Sequence, residues 1–194
     1  MKKLTGINKK NIAVFISGAG SNLKSLIKYS SLKNSNLKIK LIVSSNKNAN
    51  GLKYAKKNKI PYIIANFVVK KNSENKILFY LKKYNIKTIC LAGFMKILSS
   101  YFLRKFKGKI LNIHPSLLPK FKGLNTHERV LNKNEKYSGF TIHLVNKKLD
   151  SGKILFQKKI KILKNDNKRI LENKIKKLEN KFYPVFLSKY LSNL

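Results

Sequence analysis

The residues best equipped to do chemistry lie in Leu111-Asn112-Ile113-His114-Pro115-Ser116-Leu117-Leu118-Pro119, where an apolar run ends on an amide and an imidazole two residues apart. On a strand that spacing puts both side chains on one face. An amide N–H can donate to a developing oxyanion, and an imidazole can move protons near neutral pH. The competing reading is structural, with His114 capping a loop and Asn112 satisfying backbone. Asp150, in the tight turn Leu149-Asp150-Ser151-Gly152, weighs for catalysis: the chain has seven acids, and a carboxylate beside an imidazole orients it and favours its protonated form.

A second constellation is Ser17-Gly18-Ala19-Gly20-Ser21-Asn22-Leu23, a glycine-bearing turn that follows an apolar run. Backbone N–H groups and a helix N-terminus there suit an anion, so the turn is either a phosphate cradle or a structural strand-to-helix connection. A dinucleotide fingerprint would need glycine at Leu23 and an acid after the second strand, but Ser44-Ser45-Asn46 stands there and the first acid is Glu74. No Gly-Lys-Ser/Thr follows the turn either. His127 and His143 have no metal-ligand spacing to each other or to acids, so no metal is expected. Without a Gly-x-Ser-x-Gly elbow, and with the single cysteine, Cys90, inside the apolar run Thr88-Ile89-Cys90-Leu91-Ala92, transfer between two bound substrates is favoured over a covalent acyl-enzyme.

These groups need a frame to hold them. From Asn11 to His114, short apolar runs alternate with lysine-studded amphipathic stretches, the pattern of βα units on a mostly parallel sheet. Strands are expected at Ile12–Ile16, Ile39–Val43, Tyr62–Ala65, Thr88–Ala92 and Lys109–Ile113, apolar on both faces because helices cover both. Leu23, Leu26 and Ile27 mark one packing helix; Ile77, Leu78, Leu81 and Tyr84 mark another. After His114, Tyr137–Val145 and Lys153–Ile162 are β-rich and joined by a segment too short for a helical crossover, which predicts antiparallel strands. Ile170, Leu171, Ile175, Leu178 and Phe182 mark a closing helix, with Asp166 near its start and Pro184 expected to bend or break it. The fold class is therefore α/β, Rossmann-like, with antiparallel strands added in the C-terminal half and residues 1–194 forming a single domain.

A length of 194 residues at 43% hydrophobic suffices for a sizeable core. No window approaches the roughly 18 apolar residues of a membrane span, and no cleavable leader is legible, so a soluble, cytoplasmic protein is expected. The formal charge of +37 is the loudest signal and suggests a polyanionic partner. Its make-up argues otherwise. Only Arg104, Arg129 and Arg169 are arginines among 44 basic residues, and arginine is the preferred fork for phosphate and base contacts. The lysines are spread along every segment and accompany many Asn and Ile, which share A/T-rich codons. No specific nucleic-acid partner is expected, although a basic nucleic-acid-binding protein is the alternative from a different class.

Together the glycine turn Ser17 to Leu23, Leu91-Ala92-Gly93-Phe94-Met95, Leu111 to Pro119 and Leu149-Asp150-Ser151-Gly152 resemble the phosphoribosylglycinamide formyltransferases over nearly the whole chain. The Asn-x-His-Pro-Ser core with a distant Asp is similar to the wider superfamily that uses 10-formyltetrahydrofolate. The resemblance implies a formyltransferase fold and transfer of formyl to the amine of glycinamide ribonucleotide in purine biosynthesis, with Asn112, His114 and Asp150 catalytic. It also implies Gly20, Ser21, Asn22 and Glu179 around the ribonucleotide. Lys70, Met95, Lys96, Ile97, Leu98 and Asn112 would serve the folate, as would Asn146, Lys147, Lys148, Leu149 and Asp150. Lysine at position 70, where the family can carry arginine, loses the planar fork, and Asn125 stands where the family can carry histidine. The closest rival is a formyltetrahydrofolate hydrolase, which resembles this core but usually carries an N-terminal regulatory domain for which the ten residues before Asn11 leave no room; another formyltransferase of the superfamily, such as one acting on tRNA, would normally add a C-terminal domain. The oligomer is expected to be a monomer or homodimer.

Overall fold

The computed structural model describes residues 8–67 and 69–193. Five strands run parallel: β1 (Lys10–Ile16), β2 (Leu37–Ser44), β3 (Tyr62–Ile64), β4 (Thr88–Leu91) and β5 (Lys109–His114). β6 (Tyr137–Leu144) and β7 (Ile154–Lys161) pair antiparallel. The sheet order is β3-β2-β1-β4-β5-β6-β7, so the direction of winding reverses between β1 and β4. Ligands of doubly wound sheets lie at that switch, beyond the carboxyl ends of the strands.

Each parallel strand buries residues of alternate parity on opposite faces. Ile12, Val14, Ile16, Leu111 and Ile113 join Leu23 and Leu26 of α1 (Ser21–Ser30) and Leu171, Ile175, Tyr183 and Leu187 of α6 (Lys168–Ser192) in one core layer. Ala13, Phe15, Leu41, Val43 and Ile110 join Ile77 and Leu81 of α3 (Lys70–Lys83) and Phe102 of α4 (Ser100–Lys105) in the other. Two short helices complete the set, α2 (Leu52–Lys57) and α5 (Thr126–Asn132). Among the described residues no helix is long and apolar enough to cross a membrane.

Of the two outcomes expected at Pro184, a bend or a break, the break does not occur. α6 runs through the residue without ending, although an interior proline removes a helical hydrogen bond at a cost of about 3 kcal/mol. Tyr183, Leu187 and Leu191, on either side of it, are fully or almost fully buried, and packing of this face outweighs one lost bond. Asp166 lies just before the helix start, where it accepts from the Leu163 N–H at 3.0 Å and from Lys174 at 2.6 Å, and the cap is Asn167, which accepts from the Ile170 N–H at 2.9 Å.

Candidate active site

The register of β5 on β6 sets Asn112 opposite His143 and His114 opposite Thr141. All four side chains therefore share the sheet face that also carries Ile110. The loop from Asn146 to Gly152 returns the chain against this pair. Gly152 makes the return possible, since a Cβ there would lie 1.7 Å from the Leu144 carbonyl oxygen. Asp150 adopts a left-handed backbone, φ +45°, and is carried inward to 9% exposure.

The polar groups satisfy one another. Asn112 Nδ2 lies 3.1 Å from His143 Nε2 and donates to Asp150 Oδ1 at 3.4 Å. The His143 Nδ1 faces the Leu144 carbonyl at 2.9 Å, and its Nε2 lies between the Asn112 amide and Asp150 Oδ1, 3.5 Å from the latter. His114 Nε2 faces the Phe121 carbonyl at 2.9 Å, and its Nδ1 lies 3.4 Å from Asp150 Oδ2. The Gly123 N–H donates to Asp150 Oδ2 at 2.9 Å. The contacts from Asn112 and His114 to the carboxylate are long for hydrogen bonds, so these are the ones a substrate oxygen can displace most easily.

Burial dominates the charge of His114 and pulls its pKa below the ordinary imidazole range, assisted by the His143 ring and Arg129; the Phe121 carbonyl and Asp150 oppose without winning. Asp150 does favour the imidazolium, but the low-dielectric surroundings cost the charged form more. Burial alone would raise Asp150, yet the His143 ring, the Gly123 N–H and the His114 ring together hold it below the usual carboxylate range.

The loop after His114 is tied to β6. Thr141 Oγ1 donates to the Ser116 carbonyl at 2.6 Å and accepts from the Leu118 N–H at 3.0 Å, and Gln157 Nε2 donates to the Leu118 carbonyl at 2.9 Å. Ser116 Oγ in turn donates to the Lys120 carbonyl at 2.8 Å. These bonds fix the carbonyl that His114 faces.

The glycine turn lies at the same edge, because β4 alone separates β1 from β5 and all three are parallel; two strand spacings amount to roughly 10 Å. Gly20 caps α1 at φ +72° and offers no side-chain cap, so first-turn N–H groups face outward from the helix end. A Cβ on Gly20 would meet the Gly51 Cα at 2.6 Å. Ser21 is half-buried and Asn22 buried. Asn22 Nδ2 donates to Glu179 Oε2 at 2.9 Å, across 157 residues, while Asn22 Oδ1 is buried without a partner among the described residues. Burial pushes the Glu179 carboxyl up to about 7, against the opposing hydrogen bond from Asn22 and the charge of Lys176.

Met95 and Ile97, on the segment after β4, are 63% and 64% exposed, and Lys96 is exposed with them. The Met95 N–H donates to Ser17 Oγ at 2.8 Å, joining this segment to the glycine turn. Leu98 instead shares the core layer with Phe102, so its side chain packs the interior. Lys70 opens α3 and is half-buried. Asn146 to Leu149 are exposed, with Asn146 Oδ1 accepting from the Lys148 N–H at 2.9 Å. Cys90 is wholly buried and its thiol is pushed up to about 12 by burial, consistent with a core thiol. Cavities of about 550 Å³ between α3 and α4 and about 600 Å³ beside β3 share no lining residue with the polar centre, and the chemistry is assigned from the polar geometry.

Sequence reasoning missed His143 and Thr141. Their alternation in Tyr137–Leu144 repeats the Asn112–His114 spacing, and only strand pairing makes the two pairs neighbours. Among the described residues no group of His, Cys, Asp and Glu has the arrangement of a metal site.

The sequence profile of the formyl transferase family, Formyl_trans_N, matches residues 10–187. The phosphoribosylglycinamide formyltransferase of Haemophilus influenzae is 39% identical over 181 residues, covering 92% of this chain and 85% of that protein. The human trifunctional purine biosynthetic protein adenosine-3 is 39% identical over 182 residues and 92% of this chain, but the chain spans only 18% of its length. Among solved structures, the Bacillus halodurans phosphoribosylglycinamide formyltransferase superposes with a TM-score of 0.89 at 32% identity, covering 94% of this chain and 96% of that one. That from Anaplasma phagocytophilum gives 0.87 at 36% identity, covering 92% and 84%. With this sheet order, this strand-end amide and imidazole and these likenesses, the chain belongs to the formyl transferase family, among the phosphoribosylglycinamide formyltransferases.

Proposed function

We propose that the Asn112, His114 and Asp150 centre carries formyl from 10-formyltetrahydrofolate to the amine of glycinamide ribonucleotide, in the cytoplasm and without a metal. The observation that carries this reading is the set of a half-buried amide with a buried imidazole and carboxylate at the switch point of the sheet, within two strand spacings of an uncapped helix N-terminus.

The phosphate of the ribonucleotide would meet the first-turn N–H groups of α1 at Gly20, Ser21 and Asn22, with Glu179 beside them. Exposed Met95 and Ile97 suit the flat apolar faces of a folate, and the loop Asn146 to Asp150 offers backbone groups to the pterin; Lys70 supplies a cation for its carboxylates. The neutral amine attacks the formyl carbon, a C–N bond forms and the formyl oxygen becomes anionic. Asn112 Nδ2 turns a hydrogen from Asp150 to that oxygen, and His114 takes up the proton that the attacking amine loses, its imidazolium form stabilised by Asp150 and the Phe121 carbonyl until that proton passes to the folate nitrogen. Collapse breaks the bond to the folate nitrogen, which receives a proton while the amine gives one up, so no net proton is consumed. The evenly spread positive charge draws both anionic substrates to the surface.

The test is an assay of the purified protein with both substrates, together with Asn112→Ala and His114→Ala. Wild type should yield formylated ribonucleotide, and each variant should lose turnover by on the order of 10²–10⁴-fold while remaining folded. Release of formate without formylated product would replace this reading with a hydrolase.

A further inference from the structure

In a chain whose basic residues are almost all lysine, Arg129 uses the arginine head group in a way lysine cannot reproduce. It is one of three arginines among 44 basic residues. Its Nη1 donates to the Lys122 carbonyl at 2.7 Å and to the Leu124 carbonyl at 3.2 Å, and its guanidinium carbon sits 5.7 Å from the centre of the Phe121 ring. The residues alternating with those carbonyls all have left-handed backbone: Phe121 at φ +56°, Gly123 at φ +79° and Asn125 at φ +54°. For Phe121 in particular, a side chain without local hydrogen-bonding ability, that conformation is unfavourable and needs outside support.

This held segment supplies both backbone groups that set the His114–Asp150 pair. The Phe121 carbonyl faces His114 Nε2 at 2.9 Å, and the Gly123 N–H donates to Asp150 Oδ2 at 2.9 Å. Arg129 itself reaches the segment from the last turn of α5, where a cation is also favoured by the helix dipole. We infer that Arg129 is a positioning residue for the formyl transfer: its planar guanidinium, which binds two carbonyls through Nη1 and lies over the Phe121 ring, holds residues 121–124 so that one carbonyl and one amide fix the imidazole and the carboxylate. The inference rests on the catalytic reading of His114 and Asp150 given above.

Arg129→Lys tests it, since lysine keeps the charge but has neither the fork nor the plane. The expected result is a kcat lower by on the order of 10- to 100-fold with both KM values within about twofold and thermal stability little changed. A second readout is independent of turnover: the His114 ring titration followed by NMR, assigned with single His→Gln variants. Asp150, His143, His127 and Arg129 are the charged or titratable groups that act on His114 or couple to it, and Arg129→Lys alters none of their charges. Loss of the positioned Phe121 carbonyl, which favours the imidazolium, should therefore move the His114 pKa further down. Arg129→Ala discriminates again, because a residue acting only as a nearby charge would on removal move His114 up. Arg169→Lys, exposed on α6, should change neither readout. Wild-type kcat together with an unmoved His114 titration in Arg129→Lys would overturn the inference; a moved titration in a protein without transferase activity would uphold the clamp and reject the catalytic reading beneath it.

Discussion

Two buried carboxyl groups, Asp150 beside β5 and Glu179 on α6, have nearly equal exposure, 9% and 8%, and opposite electrostatics. Asp150 is held below the usual range and Glu179 is pushed up to about 7. The difference lies in the donors around them. Asp150 receives the Gly123 N–H and the Asn112 amide and faces two imidazoles, whereas Glu179 receives one amide hydrogen, from Asn22. Burial penalises both charges; hydrogen bonds and neighbouring charges overcome it only at Asp150. One site is therefore built to keep an anion beside a histidine, and the other to sit near its titration point beside the uncapped N-terminus of α1.

Replacing the anion should have the larger consequence. Asp150→Asn keeps the shape but removes the charge that favours the imidazolium, so kcat should fall by on the order of 10²–10⁴-fold and the His114 titration should move further down. Steady-state kinetics beside the NMR titration check both, and unchanged turnover would place the functional anion elsewhere.

Glu179→Gln probes the other carboxyl and should act on stability with a definite pH dependence. A native pKa raised from 4.5 to about 7 contributes stability that is fully present below pH 4.5 and lost as pH rises through about 7. Glutamine does not ionise, so the variant should match wild type near pH 4.5 and exceed it by roughly 3 kcal/mol near pH 8, read from denaturant melts at both pH values. A pH-independent difference would mean that the Glu179 carboxyl titrates alike in the folded and unfolded chain. The same variant should weaken ribonucleotide binding, seen in KM more than in kcat.

Tyr183 supplies the uncharged reference. Its hydroxyl, wholly buried, reaches the Leu91 and Leu111 carbonyls at 3.3 and 3.5 Å, both long. Tyr183→Phe should cost only about 1 kcal/mol at any pH below the ordinary phenol range, since burial pushes its own ionisation still higher, and a pH-dependent loss there would show that the hydroxyl is coupled to a titrating neighbour.

Much of the frame was legible because strands covered on both faces leave continuous apolar runs: β1, β2 and β4 coincide with Ile12–Ile16, Ile39–Val43 and Thr88–Ala92 apart from their ends. The hairpin was legible from the shortness of Asn146 to Gly152. The short helices α2, α4 and α5 each have too few turns to show a period, and that α6 continues through Pro184 was not legible because the local penalty is visible in sequence while the packing of Tyr183 and Leu187 is not. At the site, Asn112 and His114 announced themselves by spacing on one strand. His143 did not, since its partner lies across the sheet, and Arg129 did not, since its fork is used on carbonyls of a loop whose left-handed turns no residue type declares apart from Gly123.

What the sequence determined by itself is the set of chemical types and their local geometry: an amide and an imidazole on one strand face, a glycine turn entering a helix, a carboxylate in a tight turn, and a charge made of lysine. Tertiary structure decided what each group experiences. Burial turned His114 toward neutrality, donors fixed Asp150 as an anion, and the docking of α6 on α1 raised Glu179 beside Asn22. The reason is that residue type sets which proton can move, while desolvation and hydrogen-bond partners, supplied by residues as much as 157 positions away, set where its equilibrium lies.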